Sequence, residues 1–122
     1  MNSPYVHEPP SPQQTLDIFS GKWASRFPGD LAGLNAGVNS LFEDPKIKWA
    51  KEKFAELGVS IRGSSILELG TLEGGHTYML LKEGAASVTA IEAHRDACTR
   101  TQNLRKSTGL NLNASKRQTY DA

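Results

Sequence analysis

A turn rich in glycine and acidic residues lies near the middle of the 122-residue chain. Residues 65–76 read S-I-L-E-L-G-T-L-E-G-G-H, a short apolar run followed by glycines at positions 70, 74 and 75. Glycine allows a sharp turn and leaves the backbone open to a ligand, because it has no Cβ. A helix that begins behind such a turn presents unpaired N–H groups. The pattern therefore predicts a loop that holds a polar ligand at the end of a strand.

A second chemical feature is Glu92, which ends the next apolar run, residues 88–92, roughly 20 residues after Gly70. A carboxylate at the end of the second strand can accept hydrogen bonds from both hydroxyls of a ribose. The glycine-rich turn and the acid together indicate a site for a cofactor that contains adenosine.

The type of cofactor follows from Leu72 and Glu68. A dinucleotide site usually reads G-x-G-x-x-G, and Leu72 stands where the backbone would have to approach a pyrophosphate. Glu68 would repel a diphosphate, but it would attract an amino group and a sulfonium, which are both positively charged. These residues therefore favour S-adenosylmethionine over a nicotinamide dinucleotide.

Four segments carry a resemblance to a known family. Residues 66–77 resemble the first motif of class I S-adenosylmethionine-dependent methyltransferases, in its E-x-G-x-x-x-G form, and residues 88–93 resemble the second motif. Residues 19–24 and 41–50 are similar to the leader of a bacterial subgroup of these enzymes. The resemblance covers roughly residues 13–98.

The resemblance implies a role for each matching residue. The methionine end of the cofactor would lie against Gly70, Thr71, Leu72 and Gly74. Glu68 would lie near the methionine amino group, Glu92 would hold the ribose hydroxyls, and Ala93 would lie under the adenine. Leu72 departs from the glycine that is commoner in the family, which concerns the path of the loop more than the identity of the cofactor.

Alternating elements around the two motifs indicate an α/β fold. Strands are predicted at residues 65–70 and 88–92, and helices at residues 75–83 and 96–108. Strand, turn, helix and strand form a βαβ unit, which implies a right-handed crossover and a parallel sheet. The expected fold is a Rossmann-like, partial doubly wound parallel sheet preceded by two helices.

The two helices before the sheet are predicted from caps and apolar spacing. The first begins with a capping box at Ser11 and continues along an apolar series at helical spacing: Leu16, Phe19, Trp23 and Phe27. The second is capped by Asp44 and carries an apolar stripe: Ile47, Ala50, Phe54 and Leu57. Trp23 and Trp49 are interpreted as hydrophobic anchors of these helices.

We divide the chain into a disordered leader (1–12), an N-terminal helical segment (13–58) and a truncated S-adenosylmethionine-binding domain (59–122). A third strand ending near Asp121 would contain Lys116 and Arg117, which suit a buried strand poorly. The sheet is therefore expected to stop after its second strand and the following helix. Because such a sheet leaves an edge and apolar surface open, we expect marginal stability and self-association through that edge.

Other polar residues are given structural interpretations. Glu73 is expected to be a solvated loop acid, and His76 a structural residue rather than a general base, so the catalytic residues stay unassigned. The histidines show no metal-ligand spacing, so no metal is predicted. The lone Cys98 is expected to be partly buried; it excludes an internal disulfide and fits a reducing cytoplasm.

Charge and composition limit the kinds of partner that the chain is expected to bind. The net charge of +1 gives no overall attraction to nucleic acid, and the basic residues from Arg95 onward are not interleaved with aromatic ones. No apolar run approaches the ~20 residues of a membrane span. The expected partner is a small-molecule cofactor, with the methyl acceptor unassigned. Two alternatives remain: an NAD(P)-dependent oxidoreductase fragment, against which Leu72 argues, and a non-catalytic interaction module that uses the open sheet edge.

Overall fold

The computed structural model describes Tyr5, residues 7–110 and the backbone of residues 114–118. Within this part of the chain, one sheet contains three parallel strands in the order β1 (Ser65–Leu69), β2 (Ser87–Ile91) and β3 (Ala114–Gln118). The register pairs Ser65 with Ser87 and Leu69 with Ile91, so the carboxyl ends of β1 and β2 lie side by side. The parallel sheet predicted from the sequence is confirmed.

Strand β3 corrects the expectation that the sheet stops after β2. Its backbone pairs with β2 from Val88 to Ile91, with a register shift between Val88 and Ala90. Main-chain pairing satisfies the free N–H and C=O groups along the edge of β2, and it does so whatever side chains the added strand carries. The acid proposed for the end of this strand, Asp121, lies outside the described residues, as do residues 1–4 and 6 of the predicted leader.

The described chain contains four α-helices, α1 (Pro12–Asp17), α2 (Pro45–Glu56), α3 (Gly75–Lys82) and α4 (Arg95–Thr108). Short 3₁₀ turns occupy Gly29–Leu31 and Leu41–Glu43. Helices α3 and α4 each follow a strand, so the βαβ unit and the two preceding helices are present as predicted. The fold is a Rossmann-like α/β fold.

Helix α1 is much shorter than predicted. Its capping box is present, since the Ser11 hydroxyl accepts from the backbone of Gln14 and the Gln14 side chain accepts from the backbone of Ser11. The helix nevertheless ends at Asp17, and Gly21 takes a left-handed conformation with φ of 77°. Such a residue ends regular helical bonding, so the prediction of one helix through Phe27 was wrong.

The apolar residues after α1 pack as an aromatic series instead of a helix stripe. Neighbouring rings meet edge to face, with centroids 5.3–6.4 Å apart, in the order Phe19, Trp23, Phe27, Phe42 and Tyr78. The Trp23 indole N–H donates to the carbonyl of Leu16 at 2.9 Å. Their spacing therefore marked the hydrophobic core correctly but not the local conformation.

Two hydrophobic clusters position the sheet. The first joins the segment before the sheet to α4: Leu16, Trp23, Phe27, Phe42 and Leu104. The second joins α2, α3 and β2: Ile47, Ile61, Leu80 and Val88. Both clusters pack against α3, the first through the partly buried Tyr78 and the second through Leu80, so the helix that follows the glycine-rich turn is held from two sides.

The two faces of the sheet differ in exposure. On one face, Val88 and Ala90 of β2 are fully buried. On the opposite face, Leu67 and Leu69 of β1 are 62% and 73% exposed. Because side chains alternate along a strand, Glu68 shares the covered face with Ile66, which packs against the second cluster. The glycine-rich turn thus follows a strand that is supported on one face and open on the other.

Helix α2 begins as predicted but buries less of its surface. The Asp44 carboxylate accepts from the backbone N–H of Lys46 at 2.9 Å, and Ile47 is buried. Trp49 is 61% exposed and Leu57 is 77% exposed, so the interpretation of Trp49 as an anchor was wrong. The helix is fixed mainly through Ile47 and its N-cap.

Asp44 also joins α2 to α3, because its second oxygen lies 2.8 Å from His76 Nε2. The backbone hydrogen bond from Lys46, followed by the hydrogen bond with His76, lowers the pKa of Asp44 below its usual value of 3.8. A lowered folded-state pKa means that the ionised carboxylate stabilises the fold fully above the unfolded value. That stabilisation is lost as the pH falls through the lower folded value.

We therefore expect Asp44→Ala to lower the free energy of unfolding by about 1 kcal/mol at pH 7, the usual contribution of an N-cap. The difference between the variant and the natural chain should shrink as the pH falls below about 3.8. Thermal denaturation across a pH series measures it, with Asp30→Ala, in the exposed 3₁₀ turn, as the control. A loss that is equal at pH 3 and pH 7 would contradict the role of the ionised carboxylate.

Candidate cofactor-binding site

The predicted site residues meet at the carboxyl ends of β1 and β2. The backbone N–H of Gly70 donates to the carbonyl of Ile91 at 2.8 Å, which ties the start of the glycine-rich turn to the end of β2. Glu68 stands just before the turn and Glu92 just after β2. The parallel register therefore places both acids and the turn at the carboxyl ends of the strands.

The turn, which we call the cofactor loop (residues 70–75), takes an unusual path. Gly70 and Gly74 have φ of 75° and 85°, and Leu72 has φ of 52°. Leu72 shows the left-handed conformation without being glycine, which costs about 1 kcal/mol or more for an ordinary side chain. The N–H of Gly74 donates to the carbonyl of Thr71 at 2.9 Å, and α3 begins directly afterwards.

Neighbouring elements hold Leu72 in this conformation. Its N–H donates to Glu92 Oε2 at 2.7 Å, and its carbonyl accepts from the Thr101 hydroxyl at 2.8 Å. Thr101 is fully buried on α4. Contacts from the end of β2 and from α4 thus fix the loop at Leu72.

Glu92 faces the loop and is nearly buried, with 7% of its surface exposed. Its two oxygens accept from the N–H groups of Leu72 and His94, at 2.7 and 2.8 Å. A carboxylate offers about four lone-pair positions, so these bonds fix its orientation and leave room for further donors. The geometry is compatible with acceptance from ligand hydroxyls, and it adds a loop-holding role that the sequence did not predict.

Glu68 is half-buried and belongs to a chain of hydroxyl contacts. The Thr77 hydroxyl donates to Glu68, so the Thr71 hydroxyl, 2.9 Å from Thr77, must donate to Thr77. This chain links the loop, α3 and the end of β1. Glu68 is therefore a carboxylate that ties the loop to α3.

The remaining predicted residues differ in exposure. Gly70, Leu72 and Ala93 are exposed, and a ligand at the strand ends can reach them. Thr71 and Gly74, which belong to the same loop, are buried. Thr71 is only 4% exposed, and its hydroxyl is occupied by Thr77, so it supports the loop from below.

Glu73 is the site residue that sequence reasoning misjudged. It is fully buried, and its oxygens accept from the backbone N–H groups of Ala24 and Ser25 at 2.6 and 2.9 Å. Arg100 Nε lies 3.7 Å from the same carboxylate. The expectation of a solvated loop acid was wrong, because its partners are backbone groups and a distant arginine that no local pattern reveals.

His76 lies in the first turn of α3 but pairs with Asp44. That contact is structural, as the sequence suggested. Among the described residues, no group of three histidine, cysteine, aspartate or glutamate side chains could hold a metal ion. Cys98 is buried on α4. Across the same residues, no helix combines the length and the apolar character that crossing a membrane requires.

The parallel sheet, the glycine-rich turn and the following helix define the class of fold, which is Rossmann-like α/β. The solved structures that share it include the N-terminal domain of EvdMO1 with SAH bound (TM-score 0.63, 20% identity). The alignment covers 89% of the present chain and 44% of that domain. The same domain in the presence of SAH and D-fucose gives a TM-score of 0.61 at 21% identity, covering 89% and 43% of the two chains.

The structure of EvdMO1 itself gives a TM-score of 0.59 at 21% identity, covering 89% of the present chain and 23% of that protein. The chain therefore spans less than half the length of these neighbours. No family model matches the chain. No curated protein matches it either. At this level of identity, the likeness establishes the fold.

Proposed function

We propose that this chain is the S-adenosylmethionine-binding part of a methyltransferase. The observation that carries the proposal is the contact between the cofactor loop and the acid of the second strand, where Leu72 N–H donates to Glu92 at 2.7 Å. This contact brings a glycine-rich turn and a carboxylate to adjoining strand ends, the arrangement that an adenosine-containing cofactor requires.

The charges of the site support S-adenosylmethionine in particular. Glu68 and Glu92 place two carboxylates beside the loop. A dinucleotide would bring two negative phosphates to this position, whereas the sulfonium and amino groups of S-adenosylmethionine are positive. We assign the methionine end to the loop Gly70–Gly74, the ribose to Glu92 and the adenine to Ala93.

In this proposal the described residues position the cofactor, and none of them is assigned a role in proton transfer. When bound, S-adenosylmethionine supplies a methyl group on a positively charged sulfur, and the protein contributes orientation. Glu92 would accept the ribose hydroxyls through lone pairs left free by Leu72 and His94. Glu68 would favour the positive end of the cofactor, while Thr77 and Thr71 keep its carboxylate and the loop in place.

The shared fold with a domain that was crystallised with SAH supports the proposal, since SAH is the product that S-adenosylmethionine leaves after methyl transfer. The chain spans 44% of that domain, so the acceptor stays unassigned. A cytoplasmic location is part of the proposal and rests on the lone Cys98. Self-association through the open sheet edge stays a prediction, which sedimentation velocity would test.

Isothermal titration of the chain with S-adenosylmethionine, S-adenosylhomocysteine and NAD tests the function. We expect the first two to bind and NAD to produce no binding heat, because the site lacks the middle glycine of a dinucleotide loop. Binding of NAD alone would overturn the proposal in favour of an oxidoreductase. Absence of binding by all three would favour an interaction module.

A further inference from the structure

The cofactor loop contains a carboxylate that faces away from the ligand side. Glu73 lies between Leu72 and Gly74, and it is completely buried. A buried carboxylate is costly unless it is paired and hydrogen-bonded. Here the partners are the N–H groups of Ala24 and Ser25, which lie about 50 residues earlier in the chain.

Arg100, on α4, lies close to both the loop and the segment before the sheet. It is 6% exposed, and its Nε has no hydrogen-bond partner among the described residues, although it lies 3.7 Å from Glu73. Its guanidinium carbon lies 5.8 Å from the centroid of the Trp23 ring. Arg100 therefore contacts both Glu73 of the loop and Trp23 of the segment before the sheet, and Glu73 bonds to the backbone of the residues that follow Trp23.

The backbone on both sides of Glu73 explains why these contacts matter. Leu72 and Gly74 have φ of 52° and 85°. A loop held only at its ends could relax the strained residue Leu72, which would move the N–H group that bonds to Glu92. The buried carboxylate between them fixes the middle of the loop against the backbone of residues 24–25.

We propose that Glu73 is a positioning residue through which the segment Trp23–Ser25 controls the affinity of the cofactor loop for S-adenosylmethionine. The proposal rests on the function proposed above. The side chains of Glu73 and Arg100 are buried, so they act by fixing the position of Leu72 and hence of Glu92. The segment before the sheet therefore contributes to cofactor binding by holding Glu73 in place.

Glu73→Gln tests the proposal. Glutamine can accept one of the two N–H groups, but its own NH₂ group opposes the other, and Arg100 loses its counter-charge. We expect S-adenosylhomocysteine to bind about 10-fold more weakly or worse, as measured by titration at a temperature where melting curves show the variant to be folded. Glu52→Gln makes the same chemical change at an exposed position of α2 and should leave the affinity unchanged.

Arg100→Lys provides a second test if Glu73→Gln does not fold. Lysine keeps a positive charge near Glu73 but loses the planar contact with Trp23, so a smaller loss of affinity is expected. The amide NMR signals of Leu72 and Gly74 should also shift in both variants without ligand. A folded variant with natural affinity and unshifted loop signals would overturn the inference, whereas failure of the natural chain to bind would overturn the proposed function.

Discussion

Glu92→Gln should weaken the binding of S-adenosylhomocysteine by about 100-fold, because each hydrogen bond to a charged group contributes roughly 1.5–3 kcal/mol. The carboxylate accepts from two backbone N–H groups, those of Leu72 and His94. The amide group of glutamine can accept from one of them only, and its NH₂ group would face the other donor. The variant therefore loses both the fixed loop and the negative charge that would accept the ribose hydroxyls.

Titration calorimetry measures this loss directly. Glu52→Gln serves again as the matched control, since it removes one negative charge from an exposed helix position. An affinity for S-adenosylhomocysteine within about 3-fold of that of the natural chain would remove Glu92 from the site, because that change corresponds to less than 1 kcal/mol.

Gly37→Ala should lower the free energy of unfolding by about 3 kcal/mol or more, at the upper end of the usual cost of overpacking. A Cβ at this position would lie 2.2 Å from the carbonyl carbon and 2.3 Å from the carbonyl oxygen of Ala24. Both obstacles are backbone atoms, which cannot rotate away. The N–H of Gly37 also donates to the carbonyl of Ser25 at 3.0 Å, so the two segments cannot separate without losing hydrogen bonds.

The loss should appear as a fall of more than about 10 °C in melting temperature. Gly33→Ala is the control, because a Cβ there would meet no atom within 4 Å. Since the displaced backbone is the one that donates to Glu73, any folded Gly37→Ala protein should also bind S-adenosylhomocysteine more weakly. Equal melting temperatures for the two variants would show that the close approach at Gly37 does not exist in solution.

The sequence predicted those parts of the fold that depend on local signals. Strands β1 and β2 are short apolar runs, and Gly74 and Gly109, with φ of 85° and 67°, bound helices at the expected places. Asp44 caps α2 for the same local reason. The pairing of parallel strands then brings the turn and Glu92 together, so the main members of the candidate site could be predicted.

The features that could not be predicted depend on contacts between distant parts of the chain. The helical spacing from Leu16 to Phe27 reflects the burial of these residues in the first hydrophobic cluster. It does not reflect a continuous helix, because Gly21 takes a left-handed conformation between them. Glu73 resembles a surface acid by its position, yet backbone donors from residues 24 and 25 bury it. Trp49 is large and apolar, but no element of the described part of the chain covers its side of α2, so it is 61% exposed.

The central claim is that S-adenosylmethionine binds at the carboxyl ends of β1 and β2. Amide chemical shifts of the ¹⁵N-labelled chain, followed during titration with S-adenosylhomocysteine, test it most directly. The account predicts saturable shifts concentrated at Gly70, Leu72, Gly74, Ala93 and His94. Saturable shifts confined to another part of the chain, or spectra that do not change at millimolar ligand, would contradict it.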